Sequence, residues 1–161
     1  RTAMSNKVTV VAKGDREVVI SRAFSAPRPL VFDAMSKPEM MKQWFHGPPG
    51  WTLVVCEIDL RVDGRYRWVW RNDAGHDMGM GGVYKEVQRP ERIVSTEKFD
   101  QSWYPGEAVG TLVLTEQGKQ TLMTLTVRYE SQVARDGVLA SPMQTGLDAG
   151  YSRLDEFLAR Q

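Results

Sequence analysis

Glu97 is the side chain of this sequence best suited to acid–base chemistry. It lies in Ser95-Thr96-Glu97-Lys98-Phe99, and strand alternation puts it on the face of Ile93 and Phe99. A carboxylate on an apolar face is costly unless it is paired or protonated, and that is how a general acid or a ligand anchor arises. The competing reading is a bulge or twist that turns Glu97 to solvent. Tyr84 and Tyr151 are the hydroxyls that would move protons with it, provided the three meet in one cavity.

A set of flat and flexible apolar side chains accompanies these groups. Tyr66, Trp68 and Trp70 alternate with Arg65, Arg67 and Arg71, the mark of a strand with one aromatic and one wet face. Met78, Met80, Gly82 and Tyr84 share a face of the next strand, while Met143, Leu147 and Tyr151 recur at helical spacing. Any one of these residues reads equally well as plain core. Together they describe the wall of a pocket, because aromatic rings offer flat faces and thioethers adapt to irregular shapes. Trp103-Tyr104-Pro105-Gly106, between two strands, reads as a lid.

Other chemistries find little support. His46 and His76 occupy separate turns at no metal-ligand spacing and read as solvated loop residues. Cys56 is the only cysteine, so it forms neither an intrachain disulfide nor a thiolate cluster, and it reads as a small core side chain. Gly79-Met80-Gly81-Gly82 lies within a strand, where close packing explains glycine better than phosphate binding. No nucleophile elbow, phosphate loop or dinucleotide fingerprint is present, so neither a metal nor a cofactor is expected.

The elements that must position the candidates follow from pattern. With 161 residues, 42% apolar and 25% charged, the chain fits one domain with a real core. A formal charge of +1 argues against a nucleic-acid surface. No apolar run is long enough to span a bilayer and no secretory pattern opens the chain, so a cytoplasmic setting is expected. Residues 1–7 are expected to be a disordered start, with Arg1-Thr2-Ala3 as a tag remnant, and 8–161 the domain. Two β-branched runs, Val8–Val11 and Val18–Ile20, flank the turn Lys13-Gly14-Asp15. Leu30, Val31, Ala34 and Met35 predict a short helix. Ser36-Lys37-Pro38-Glu39 predicts a capping box for a second one ending near Phe45. From Thr52 to about Tyr129 the period is two, with short polar turns, which predicts an antiparallel meander. Ser131 to Leu139 can form a short helix. A longer one follows with Ser141 as N-cap, Pro142 at N1 and Gln144 at N3. Gly146 and Gly150 weaken it, so each is expected to make room for something.

Several of these segments, in this order, resemble one family. Ile20-Ser21-Arg22-Ala23-Phe24-Ser25-Ala26-Pro27, Val31-Phe32-Asp33-Ala34, Pro38 and Trp44-Phe45-His46-Gly47-Pro48 are similar to the opening signature of the heat-shock-protein ATPase activator homologues. These belong to the superfamily of START domains, polyketide cyclases and birch-pollen-allergen-like proteins, also called SRPBCC. Asp59–Tyr66 and Gly82–Val87 with Pro90–Val94 resemble later signatures, although Asp63 replaces the first glycine of a usual pair. The resemblance runs from Val18 to Leu158. It implies an α+β helix-grip fold: about seven antiparallel strands around a long C-terminal helix, two short helices after the first strand, and a cavity between sheet and helix. It also places Trp44 and Phe45 at the cavity's rim.

Three functions are compatible with that fold. The first is non-catalytic binding of a small hydrophobic or aromatic molecule by Trp44, Phe45, Tyr66, Trp68, Trp70, Met78, Met80, Tyr84, Glu97, Met143, Leu147 and Tyr151. The second is a cyclase or aromatase using cavity Glu and Tyr groups. The third, resting on the family name and its stress-response association, is stimulation of a chaperone ATPase. A monomer or a homodimer is compatible with each.

Overall fold

The computed structural model describes residues 6–161, so most of the expected loose start lies outside the described residues. Val8 already belongs to the core at 4% exposure. Eight strands form one antiparallel sheet: β1 Thr9–Lys13, β2 Glu17–Phe24, β3 Trp51–Ile58, β4 Arg65–Asn72, β5 Asp77–Gln88, β6 Arg92–Phe99, β7 Ala108–Gln117 and β8 Gln120–Arg128. Their order is β1-β2-β8-β7-β6-β5-β4-β3. The count exceeds the expected seven because the first β-branched run closes a hairpin with the second, Thr9 opposite Ser21 and Lys13 opposite Glu17. The two short helices, α1 Arg28–Ala34 and α2 Pro38–Met41, therefore follow the second strand and lead the chain to the far edge of the sheet.

Two expected helix caps are absent, for the same reason. Ser36 Oγ donates to Phe32 O at 2.7 Å, and Lys37 rather than Ser36 precedes α2. Ser141 Oγ donates to Val138 O at 2.5 Å, and Pro142 precedes α4, Met143–Ala159. Each serine lies just past the end of an earlier helix, where carbonyls lack partners, and its hydroxyl serves those instead. Ser131, with no helix before it, does cap α3, Gln132–Leu139, by accepting from Ala134 N at 3.0 Å.

The sheet departs from regular pairing at defined places. Register shifts fall between Leu53 and Val55 and between Tyr84 and Glu86. Between β5 and β6 the ladder pairs Gly81 with Lys98 and resumes at Tyr84 with Ser95. In that gap the Tyr66 hydroxyl donates to Thr96 O at 2.7 Å and Val83 N donates to Thr96 Oγ1 at 2.9 Å. A Cβ on Gly82 would overlap Thr96 O, so this approach requires glycine.

α4 covers the inner face unevenly. Leu154 is completely buried, and Tyr151, Phe157 and Leu158 nearly so, while Met143 and Leu147 near its start are half-buried. α3 is pinned by Arg135, buried despite its charge. One guanidinium nitrogen donates to Gly14 O at 2.9 Å and Glu17 O at 3.0 Å, with a longer bond to Lys13 O at 3.4 Å.

The glycine-pair departure is accommodated in the β3–β4 turn. Asp63 adopts the left-handed conformation at φ 67°, and its N–H donates to Tyr84 O at 2.9 Å. Gly64 is held by close approach, since a Cβ there would overlap Asp59 O. Gly64→Ala is expected to destabilise the protein by about 2 kcal/mol or more, since backbone must move. Asp63→Gly is expected to stabilise it by up to about 1 kcal/mol. Urea unfolding midpoints check both.

Candidate functional site

β4 supplies the aromatic floor. Tyr66 and Trp70 are buried and Trp68 is half-buried between them, all on the inner face opposite the exposed Arg65 and Arg71 and the half-buried Arg67. Arg67 pairs with Asp100 at 2.5 Å and Arg71 with Asp77 at 2.7 Å, so the wet face is laced by ion pairs. Trp70 Nε1 donates to Phe45 O at 3.0 Å, and the Phe45 ring stands edge-on to both Trp68 and Trp70, at 4.9 and 5.2 Å. Phe45 is half-buried and remains reachable. Trp44 differs from the rim position expected of it: it is 3% exposed, and its indole N–H donates to Ala34 O at 2.8 Å. It packs near Tyr151 of α4, 6.2 Å between centroids. Met80 and Tyr84 of β5 are buried, whereas Met78 is half-buried.

Glu97 faces inward, as alternation along β6 requires. Its Oε2 lies against Gly110 of β7, 3.2 Å from where a Cβ would stand, beside Leu125 of β8. Gly110 is thus the absence of a side chain that gives the carboxylate its place. Among the described residues Glu97 makes no hydrogen bond and no ion pair, and loss of hydration pushes its carboxyl up to about 7.

All five tyrosines of the sequence are buried. Burial raises the hydroxyls of four of them, Tyr66, Tyr104, Tyr129 and Tyr151, and the charge of Glu97 adds to it, opposed at Tyr151 by the Arg22 cation. The fifth, Tyr84, packs on Tyr66 at 5.4 Å. Tyr104, read as part of a lid, is only 5% exposed and meets Tyr129 edge-on at 5.2 Å, leaving Trp103 outside. Tyr104 Oη is buried without a partner, while the Trp68 indole has the Cys56 thiol opposite it in the β3–β4 register. Tyr129 was not among the sequence candidates. It continues the inward alternation Leu125, Val127, Tyr129 beyond β8, a signal available in the pattern.

The helix side of the site is set by two glycines. A Cβ on Gly146 would meet Pro48 Cγ at 3.3 Å, so that glycine admits the loop. Gly150 is buried, yet a Cβ there would meet no atom within 4 Å. It faces space rather than a neighbour. A larger concavity, about 1100 Å³, lies elsewhere, along the outer side of β4–β6. Its walls include Arg65, Arg67, Val83, Lys98 and Asp100, and it shares Tyr66 with the inner set.

His46 is structural rather than solvated. Its Nδ1 accepts from Leu53 N at 3.0 Å, and burial followed by the nearby Arg153 charge lowers its pKa. The Cys56 thiol is buried and pushed up to about 11 chiefly by desolvation, which leaves it a packing group. Among the described residues no three His, Cys, Asp or Glu side chains gather as a metal site. No helix among them is long and apolar enough to cross a membrane.

A bent antiparallel sheet gripping one C-terminal helix, with an aromatic inner face, defines an α+β helix-grip domain of the SRPBCC type. The chain belongs to the family described as Activator of Hsp90 ATPase homolog 1-like protein, whose model matches residues 25–159. Among solved structures, a protein of Rhodobacter sphaeroides is 26% identical, with a TM-score of 0.91 over 96% of this chain and 99% of that one. Proteins of Mycobacterium smegmatis and Nitrosomonas europaea share the fold at 21% and 22% identity, with TM-scores of 0.82 and 0.80. The first covers 94% of this chain and 96% of its own, the second 92% and 97%. No functionally curated protein matches the sequence.

The raised carboxyl of Glu97 has a stability consequence. Its unfolded value is near 4.5 and its folded value about 7, so its contribution is complete below pH 4.5 and is lost as pH rises through 7. The full shift corresponds to about 3 kcal/mol, reduced to about 1–2 by water reaching a half-buried group. Glu97→Gln is therefore expected to melt a few degrees above the native protein at pH 8, with the margin closing near pH 4. Differential scanning calorimetry across that range measures it.

Proposed function

We propose that this protein binds a small hydrophobic or aromatic molecule between the inner sheet face and the first half of α4. The observation that carries this reading is Gly150, a buried position whose missing side chain would touch nothing within 4 Å. Half-buried inner-face groups include Phe45, Trp68, Met78, Glu97, Met143 and Leu147. Tightly packed Leu154 and Phe157 close the other half of the helix. Flat rings and thioethers then supply adaptable apolar contact, and the unpartnered Tyr104 hydroxyl supplies orientation. The matched family and the helix-grip fold are consistent with ligand binding in general.

A second reading, a cyclase- or aromatase-type enzyme, draws on the convergence of Glu97 with four tyrosines. Such a site positions a reactive chain and moves protons at Glu97. Its test is product formation from poly-β-ketone thioesters, which Glu97→Gln would reduce at least a hundredfold while leaving binding intact.

Filling the space above Gly150 separates binding from folding. Gly150→Leu is expected to be tolerated or to stabilise by about 1 kcal/mol, because helix propensity improves. It is also expected to abolish thermal shifts produced in the native protein by a panel of fatty acids and polycyclic aromatics. A panel with no binder to the native protein, by thermal shift and native mass spectrometry, ends the reading.

A further inference from the structure

Within the proposed binding space one inward carboxylate has no cation paired with it: among the described residues no Lys, Arg or His forms an ion pair with Glu97. The buried cation of the inner sheet, Arg22, is already committed. It pairs with Asp155 at 2.7 Å, donates to Ala23 O at 3.1 Å and lies 4.8 Å from the Phe24 ring centroid. The sheet sets a ring beside Glu97, since the Tyr66 hydroxyl donates to the carbonyl of neighbouring Thr96 at 2.7 Å, and further rings extend from it. Tyr66 lies 4.4 Å from Trp68, and Tyr104 lies 5.2 Å from Tyr129. Tyr104 Oη is buried and unpartnered, a free acceptor and donor.

Guests of different charge fare differently in such a space. A neutral hydrocarbon would strip the remaining water from Glu97 and return nothing to it. A carboxylate guest would place like charges together. A guest that brings its own positive charge replaces lost hydration with a charge-assisted hydrogen bond and rests against aromatic faces that attract cations.

We infer that the guest is a hydrophobic amine, bound with its ammonium group on Glu97 inside the tyrosine box and its apolar body along Trp68, Met78 and Leu147. This inference rests on the binding reading above. It adds the chemical class of the guest and the residue that selects it. Burial raises the Glu97 carboxyl, and an ammonium on it would bring it back toward the ordinary carboxylate range.

The test is isothermal titration calorimetry at pH 8 with two matched series: decylamine, decanol and decanoate, and 1-naphthylmethylamine, 1-naphthylmethanol and 1-naphthoate. Each amine is expected to bind at least tenfold more tightly than its alcohol, with the carboxylate weakest. In Glu97→Gln the amine should fall to the level of the alcohol, while alcohol affinity changes by less than threefold. Glu97→Asp, which keeps the charge, should retain part of the preference, and circular dichroism of each variant checks folding. If alcohols bind but amines show no advantage, or the advantage survives in Glu97→Gln, the amine assignment fails and the binding reading stands. If no member of either series binds the native protein, both fall together.

Discussion

The geometry of this protein follows from one mismatch: a single helix cannot cover the inner face of an eight-stranded bent sheet. Each strand offers an apolar side chain inward at every second position, and the sheet presents far more such surface than α4 can reach. Bending the sheet reduces the mismatch. The register shifts on β3 and β5 and the close approach of Thr96 over Gly82 do this locally, each replacing regular ladder bonds by a side-chain or offset contact. What bending leaves uncovered is taken up by bulk, and this chain uses rings. Tyr66, Trp68, Trp70, Phe45 and Trp44 form a continuous aromatic layer under the start of α4. Where that layer ends, beside Gly150, the helix faces open space.

Polarity inside such a layer is constrained more tightly than shape. The Tyr66 hydroxyl is consumed by the sheet and two indole N–H groups by helix and loop carbonyls. Glu97 and Tyr104 Oη are exceptions among the described residues. Buried polar groups in native proteins are overwhelmingly satisfied, so under the binding proposal these are the groups a guest would complete.

Much of this was legible in the residues. Period-two alternation from Thr52 to Tyr129 located the strands and put Glu97 on the inner face. Several motifs in a fixed order led to the family. The errors were local and share a cause: a single side chain had more than one backbone partner within reach. Ser36 and Ser141 read as caps for the helices ahead, but the open carbonyls behind them were nearer. His46 read as solvated because its loop is polar, yet Leu53 N needed an acceptor. Trp44 read as rim by resemblance, while the Ala34 carbonyl drew it inward. The tyrosine gathering was legible only in part: alternation turns Tyr129 inward, but Tyr104 lies in a loop that only the fold brings against it.

The Arg135 clamp bears on how the molecule opens. One guanidinium closes carbonyls on both sides of the β1–β2 turn, more than a hundred positions away along the chain, and does so from a helix adjoining α4. Unzipping the first hairpin would leave that buried cation with Asp136 as its remaining partner, and withdrawing α3 would orphan the carbonyls. The two ends of the polypeptide are thus locked into one cooperative unit, so amide exchange in the β1–β2 turn and in α3 proceeds with a shared opening free energy instead of as independent fraying.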